Sequence, residues 1–255
     1  MSARLPEGYV RLTVGGAELV AERGLAASLG AVLERTTLYA YARDHRSRVA
    51  FQGRLPAYSV PLDGAPGGRV VVRHSHHGGL LAALTGDRFL APTRAPLELR
   101  TALRLRDAGV RTPAIAGYSI YRAGPLLRRA DVATHEVPRA MDLAAALLEA
   151  DAAFRVAALG ATSVLLQTLT AAGARHPDLN LKNVLLADGG RAGDLPVAYV
   201  LDVDRVVFGP PDSPSIARAN FDRLARSARK WRDVRGLAVS DPEIEEVARS
   251  AGVPA

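Results

Sequence analysis

Apolar positions follow two different patterns along the chain, and the change lies near residue 136. Before it, short apolar runs alternate with stretches of turn-forming residues, which is typical of antiparallel strands; the clearest run is Val70-Val71-Val72, after the turn stretch Asp63–Gly68. After it, Ala- and Leu-rich stretches indicate helices. The predicted helices cover 18–44 (one or two helices), 96–108, 139–150, 151–174, 215–235 and a last segment after Asp241, and the predicted strands cover 48–60, 69–74, 114–120, 130–136, 184–186 and 197–201.

This order of elements predicts an α+β fold of two lobes. Residues 1–136 form a sheet-rich N-terminal lobe with a helical extension, and residues 137–255 form a helical C-terminal lobe. Charged residues are expected to interrupt every apolar run before the about 20 residues that a membrane span needs. Because residues 1–10 also lack the pattern of a secretory signal, we expect no transmembrane segment and a cytoplasmic protein.

The formal net charge is +7, and nearly all of the positive residues are arginine, since Lys182 and Lys230 are the only lysines. A basic balance fits phosphate-rich partners: nucleotides, nucleic acid or an anionic membrane surface. Cysteine is absent, which excludes disulfides, thiolate metal ligands and cysteine nucleophiles. Any chemistry must therefore come from carboxylate, histidine, amide or hydroxyl groups.

The polar loop His176–Asn183 follows a long predicted helix and matches the pattern H-x-D-L-x-x-x-N of kinase catalytic loops, with Pro177 in place of the usual arginine. In such a loop the aspartate, here Asp178, receives or orients the proton of the attacking hydroxyl, and Asn183 holds a magnesium ion on the phosphates. Asp178 and His176 are the candidate catalytic residues, and we expect His176 to brace the loop rather than exchange protons.

A second carboxylate follows the apolar strand Tyr199–Leu201. Phosphoryl transfer requires an ionised aspartate that binds magnesium bridging the nucleotide phosphates, and Asp202 fits this role. It stands where kinases carry the first residue of Asp-Phe-Gly, whereas this chain reads Asp202-Val203-Asp204. The predicted metal ligands are thus Asn183 and Asp202, and the predicted cofactors are ATP and Mg²⁺.

The N-terminal lobe should supply a cation for the nucleotide phosphates. No lysine precedes residue 182, so Arg73 at the end of a strand is the candidate, with Glu98 on the next helix as its partner. Gly53 is the candidate glycine of a reduced phosphate-covering loop. The histidines of the following loop are interpreted as a polar loop near phosphate or sugar and not as a metal site; they are His74, His76 and His77.

The chain resembles the bacterial 3-deoxy-D-manno-octulosonic acid (Kdo) kinases within the wider lipopolysaccharide kinase group, over about residues 52–230. The resemblance implies a protein-kinase-like fold and an ATP- and magnesium-dependent enzyme that phosphorylates a Kdo hydroxyl of a lipid A precursor, peripherally on the inner membrane. It also implies that arginine in place of the lysine is normal. The segments that carry the resemblance are 72–80, 85–89, 108–113, 130–134, 178–180, 201–204 and 220–227, together with Glu98 and Leu105.

Three departures from the family pattern lie near the expected phosphate and acceptor region: Ser75, His77 and Val203. They leave other acceptors open, namely a heptose, an aminoglycoside or a protein serine. A pseudokinase that binds nucleotide without turnover is a further alternative. Nucleic acid is not expected as a partner, because the basic segment 215–235 carries no array of aromatic residues for stacking bases.

Overall fold

The computed structural model describes residues 5–51, 53, 56–75, 89–90, 93–149, 151–189 and 195–254. The chain divides into two compact units. The first unit comprises residues 1–100 and 114–136, and the second comprises 101–113 and 137–255. Sheet and helices both contribute, so the α+β class is confirmed.

The first unit contains an eight-stranded sheet in which every described pairing is antiparallel. The strand order is β1-β2-β7-β8-β5-β4-β3, and β6 pairs with β8. The strands are β1 (Tyr9–Val14), β2 (Ala17–Glu22), β3 (Val49–Phe51), β4 (Ala57–Pro61), β5 (Arg69–His74), β6 (Phe89–Leu90), β7 (Ile115–Arg122) and β8 (Leu127–His135).

Strand β5 lies between β4 and β8, and its valines show why it forms there. Val70 and Val72 are buried while Val71 is only partly buried, the alternation of a strand whose two faces differ. The register pairs Arg73 with Val132 and His74 with Asp131. The end of this strand therefore presents polar side chains beside β8.

Among the described residues, three helices lie in the first unit or begin in it: α1 (Ala26–Leu33), α2 (Leu38–Asp44) and α3 (Ala95–Asp107). The Thr37 hydroxyl caps α2 by accepting from the Ala40 N–H at 3.1 Å. The first two helices pack on the sheet over an apolar core that includes Leu19, Leu29 and Val72. Residues 95–100 of α3 are grouped with the first unit and residues 101–107 with the second.

The predicted helix over 18–44 is wrong at its start, because residues 17–22 form β2 and the helices begin only at Ala26. Strand β2 is held between β1 and β7, so tertiary pairing outweighs its Ala- and Leu-rich composition. Gly15 and Gly16 form the two-residue turn before it, both with positive φ. A Cβ on Gly15 would come 2.6 Å from the Leu33 carbonyl oxygen, so the turn requires glycine there.

The remaining predictions of elements differ from the structure mainly at their ends. The stretch 48–60 divides into β3 and β4, and the helix predicted from 139 begins at Leu143 because residues 141–142 pair with a later strand. The predicted helices 96–108, 151–174 and 215–235 and the predicted strands 69–74, 114–120 and 130–136 are present with small shifts.

The second unit combines short strands with the longer helices of the chain. Strands β12, β11 and β9 form one antiparallel sheet in that order, and β10 pairs with β13. The elements are β9 (Met141–Asp142), α4 (Leu143–Glu149), α5 (Ala152–Ala171), β10 (Ala174–Arg175), β11 (Val184–Ala187), β12 (Val197–Val200), β13 (Val207–Phe208), α6 (Pro214–Arg235) and α7 (Asp241–Ser250).

Helix α5 corrects the expectation that charges interrupt every long apolar run. Among the described residues it is the one helix long and apolar enough to cross a membrane by length and composition. In the structure it packs against β12, α6 and α7 and buries Leu165, Leu166 and Leu169. Helix α5 therefore packs one face into the core of the second unit, with about a third of its most apolar stretch buried.

Candidate active site

In the first unit, Arg73 on β5 forms an ion pair with Glu98 on α3. Glu98 lies in the first turn of its helix, where the helix dipole favours a carboxylate, and only 5% of the residue is exposed. A carboxylate this buried needs a charged partner. The structure thus brings together the two residues expected to act together, while their role toward a nucleotide stays a prediction.

A buried carboxylate next to this pair was missed by the sequence analysis. Asp131 on β8 is fully buried, and its two oxygens bind His74 Nδ1 at 2.5 Å and the Tyr39 N–H at 2.9 Å. The Tyr39 N–H belongs to the first turn of α2, so Asp131 joins that helix to the strand that carries Arg73. The available signal was that Asp131 interrupts the short apolar stretch 130–133 of β8.

The predicted phosphate-covering glycine and the predicted histidine-rich loop also belong to this unit. Gly53 is exposed, and the residues next to it, 52 and 54, lie outside the described residues. His76 and His77 also lie outside them, whereas His74 is the partner of Asp131.

In the second unit, His176 opens the loop His176–Asn183, the candidate catalytic loop, and is completely buried. Its Nδ1 accepts from the Asp178 N–H at 3.2 Å, so its Nε2 carries the proton and donates to the Leu201 carbonyl at 2.9 Å. Both ring nitrogens are thus engaged with backbone groups. This arrangement fits the bracing role and leaves no nitrogen facing a substrate.

The rest of the loop is held by its own asparagines. The Asn180 side chain accepts from the N–H groups of Lys182 and Asn183, at 2.9 and 3.2 Å. Asn183 Nδ2 donates to the Asp178 carbonyl at 2.9 Å, which directs the amide oxygen of Asn183 away from the backbone of the loop. The short 3₁₀ turn 181–183 follows from these local bonds.

Asp202 follows β12 and is tied to the same loop through its neighbour. The Leu201 N–H donates to the Asn183 carbonyl at 2.9 Å, and the Leu201 carbonyl accepts from His176. Asp202 adopts the left-handed conformation, with φ 53° and ψ 48°, and its side chain is exposed. Non-glycine residues in this conformation cost about 1–2 kcal/mol, a cost that proteins tolerate most often at functional sites.

The residues predicted to hold magnesium fit such an ion chemically. An amide oxygen and a carboxylate are the oxygen ligands that Mg²⁺ prefers, and this ion is commonly held by one or two protein ligands together with substrate phosphates. The described part of the chain contains no cluster of three or more histidine, aspartate or glutamate side chains suited to a metal ion.

Asp178 itself is exposed, and its carboxylate accepts from Arg223 Nη2 at 2.8 Å. Arg223 lies on α6, as do Asn220 and Ser227, which also reach the loop and its surroundings. Asn220 Oδ1 accepts from the His176 N–H at 2.8 Å, and Ser227 Oγ accepts from the Leu181 N–H at 3.2 Å. Segment 220–227 carries part of the family resemblance, but no role was predicted for these three residues, although their spacing of three and four residues on one helix face was a usable signal.

Comparison with known proteins identifies the family. Residues 61–247 match the Lipopolysaccharide kinase (Kdo/WaaP) family. The chain belongs to this family. It is 30% identical over 192 residues to the 3-deoxy-D-manno-octulosonic acid kinase of Vibrio cholerae serotype O1, covering 72% of this chain and 74% of that one. It is 33% identical over 196 residues to the protein of the same name from Xanthomonas oryzae pv. oryzae, covering 73% of this chain and 72% of that one.

A solved structure described as WaaP in complex with acyl carrier protein has the same fold, with a TM-score of 0.58 at 15% identity. The similarity covers 93% of this chain and 89% of that one. The predicted kinase-like α+β fold and the predicted family are both confirmed. Membership in a lipopolysaccharide kinase family makes this protein an ATP-dependent kinase.

Proposed function

We propose that this kinase uses ATP and Mg²⁺ to phosphorylate a sugar hydroxyl of the lipopolysaccharide inner core, namely a hydroxyl of Kdo on a lipid A precursor. The family supports a lipopolysaccharide acceptor, and the names of the relatives support Kdo. Because that acceptor is lipid-linked, the enzyme works peripherally at the anionic surface of the inner membrane.

Asp178 is the residue that receives or orients the proton of the acceptor hydroxyl. An exposed carboxylate can meet an incoming sugar, and Arg223 fixes its orientation without burying it. His176 takes no proton in this scheme. It holds the loop by its bonds to the backbone of Asp178 and Leu201.

Asn183 and Asp202 hold the magnesium ion, which when bound neutralises charge on the phosphates of ATP. The bonds between residue 201 and the catalytic loop support this assignment, because they tie the segment that carries Asp202 to the one that carries Asn183. Val203, where kinases carry phenylalanine, is buried and anchors the turn after Asp202.

Arg73 binds the nucleotide phosphates, and Glu98 keeps its guanidinium in position. Arginine remains charged at every accessible pH and can grip two phosphate oxygens at once, so it can replace the lysine of other kinases. Gly53 stays a candidate for a backbone contact with the phosphates.

The observation that carries the proposal is the hydrogen-bonded unit formed by the catalytic loop and the strand end at Leu201. Its direct test is Asp178→Asn, which keeps the shape of the side chain and removes its ability to take a proton. We expect phosphoryl transfer to fall by at least about 100-fold while ATP binding persists. Turnover equal to that of the unmodified enzyme would refute the assignment.

The magnesium assignment has its own test in Asp202→Ala. In the absence of Mg²⁺, we expect this variant to bind ATP with the same affinity as the unmodified protein. The additional affinity that Mg²⁺ confers on the unmodified protein should be lost in the variant. Calorimetric titration with ATP in the presence and absence of Mg²⁺ measures both quantities. A magnesium-dependent gain that survives in the variant would assign the metal to other residues.

The acceptor is tested by measuring ATP consumption with Kdo-containing lipid precursors, heptose, an aminoglycoside and a serine peptide. We expect turnover with the Kdo acceptors. Turnover only with another compound would reassign the substrate, and nucleotide binding without turnover on any acceptor would make the protein a pseudokinase.

A further inference from the structure

Helix α6 follows the catalytic loop over three successive contacts spaced four residues apart. Arg223 binds the Asp178 carboxylate, Ser227 binds the backbone of Leu181, and the ring of Trp231 lies 5.4 Å from Lys182 Nζ. Residues four apart lie on one face of a helix, so this face runs outward from the proposed catalytic base. At 1.5 Å per residue, Trp231 lies about 12 Å along the helix from Arg223, room for an acceptor of more than one sugar ring.

Two cationic side chains lie near the ring of Trp231. Besides Lys182, the guanidinium of Arg235 lies 5.9 Å from the centre of its ring, within the range of a cation–π interaction. Lys182 Nζ also binds the Asp142 carboxylate at 2.9 Å. With two positive charges and one negative charge, these four side chains carry a net charge of +1.

Stability does not explain this arrangement. The Lys182 side chain is 48% exposed, and an ion pair at such a surface stabilises a protein by only about 0–1 kcal/mol. Trp231 is only partly buried, so it is not a core residue. A partly exposed tryptophan with two cations near its ring, beside the loop His176–Asn183, is instead suited to bind a ligand that combines a ring with negative charge.

We propose that Trp231, Lys182 and Arg235 form an acceptor subsite that binds the anionic group of a sugar acid or sugar phosphate. The inference rests on the proposed function and extends it to acceptor recognition. Lys182 and Arg235 bind the carboxylate or phosphate, and the indole ring provides the apolar surface beside it. Asp142 keeps Lys182 at the ring, and no covalent step occurs at this subsite.

The chain offers a direct readout, because Trp231 is its only tryptophan. Titrating the full chain, without ATP, with Kdo linked to a phosphorylated lipid precursor should change the tryptophan emission with a saturable dose dependence. The same titration of Arg235→Ala should require about tenfold more acceptor, the loss expected for a charge-assisted contact. Unchanged emission throughout the titration, while the acceptor binds by calorimetry, would overturn the proposal.

Kinetics with matched variants provide the second test. We expect Lys182→Ala and Arg235→Ala to raise the acceptor KM about tenfold and leave the KM for ATP unchanged, with Lys182→Arg restoring most of the affinity. The matched control is Lys230→Ala, which removes the other lysine of the chain at an exposed position of the same helix. Because Arg235 is exposed, we do not expect Arg235→Ala to disturb folding. Trp231→Phe serves as a comparison that keeps an aromatic ring at position 231.

Two modified acceptors distinguish the source of the anionic group. One acceptor carries a methyl ester on the Kdo carboxylate, and the other has lost its phosphate by phosphatase treatment. The KM for each is measured with the unmodified enzyme and with Arg235→Ala. The modification that removes the bound group raises KM in the unmodified enzyme and has no further effect in the variant. If neither modification behaves in this way, or if Lys182→Ala and Arg235→Ala match Lys230→Ala, the subsite is refuted.

Failure of the proposed function has a different signature. In that case the unmodified enzyme phosphorylates no Kdo acceptor. The emission titration then decides the subsite by itself, since it requires only that the acceptor bind.

Discussion

Single residues of α6 decide how the catalytic loop is held, and Asn220 is the clearest example. It is fully buried, accepts from the His176 N–H at 2.8 Å and donates to the Ala174 carbonyl at 2.8 Å. One side chain thus satisfies two buried backbone groups, which would otherwise carry the full cost of desolvation. Asn220 acts on the loop entirely through the backbone, without approaching the reacting atoms.

We therefore expect Asn220→Ala to destabilise the protein by about 3 kcal/mol, since a buried donor and a buried acceptor both lose their partner. Urea unfolding measures this loss. Arg218→Ala, at an exposed position of the same helix, serves as control and should change stability by less than about 0.5 kcal/mol. An unfolding midpoint of Asn220→Ala equal to that of the control would show that the loop is held by other contacts.

At the scale of elements, the start of α7 shows how a short sequence pattern defines a helix end. Ser240 caps the helix by accepting from the Glu243 N–H, and the Glu243 carboxylate accepts in return from the Ser240 N–H at 2.7 Å. This reciprocal bond lowers the pKa of Glu243 below its ordinary value. Such a capping box satisfies two of the backbone donors that every helix start leaves open.

The lowered pKa gives the cap a predictable pH dependence. Because Glu243 has a lower pKa in the folded than in the unfolded state, its stabilisation is present above the unfolded value and is lost as the pH falls through the folded value. Glu243→Ala should cost about 1 kcal/mol at pH 7, and the difference from the unmodified protein should shrink below about pH 4. Urea unfolding at pH 7 and pH 3.5 measures both.

Glu245→Ala, on the exposed face of the same helix, is the control for this series. A Glu243→Ala deficit that is the same at both pH values would mean that Glu243 stabilises the helix by packing and not by its charge.

For the whole molecule, the net charge of +7 matters more than any single arginine of α6. Arg223, Arg229 and Arg232 already pair with aspartates, so much of the positive charge of that helix is neutralised within the protein. Attraction to an anionic surface is therefore expected to come from the summed charge of the chain, which acts over a Debye length of about 8 Å at physiological salt.

The proposed peripheral location at the membrane can be tested by co-sedimentation with lipid vesicles. We expect the protein to bind vesicles that contain anionic lipid and not to bind neutral vesicles. Binding to the anionic vesicles should weaken as the salt concentration rises. Replacing exposed Arg218 and Arg226 together by glutamate should weaken binding. Equal binding to neutral and anionic vesicles would exclude an electrostatic attachment.

Local spacing was enough to single out the loop that carries the candidate catalytic residues. Within the loop His176–Asn183, the turn is formed by bonds between residues at most five positions apart, so the pattern carries this local structure. Strand β5 and the helices after residue 150 were likewise readable, because an apolar run or an apolar period within one element indicates each of them. The Gly15-Gly16 turn carries a local signal of the same kind, although the predicted helix over 18–44 did not use it.

Only the tertiary structure could show which distant residues meet within each unit. Asp131 meets Tyr39 across 92 positions, Asn220 meets His176 across 44, and Arg223 meets Asp178 across 45. Partners so far apart are chosen by how elements pack, and no period along the chain records that choice. The sequence by itself therefore determined the reaction class through a compact loop, whereas folding decided which side chains hold that loop in place.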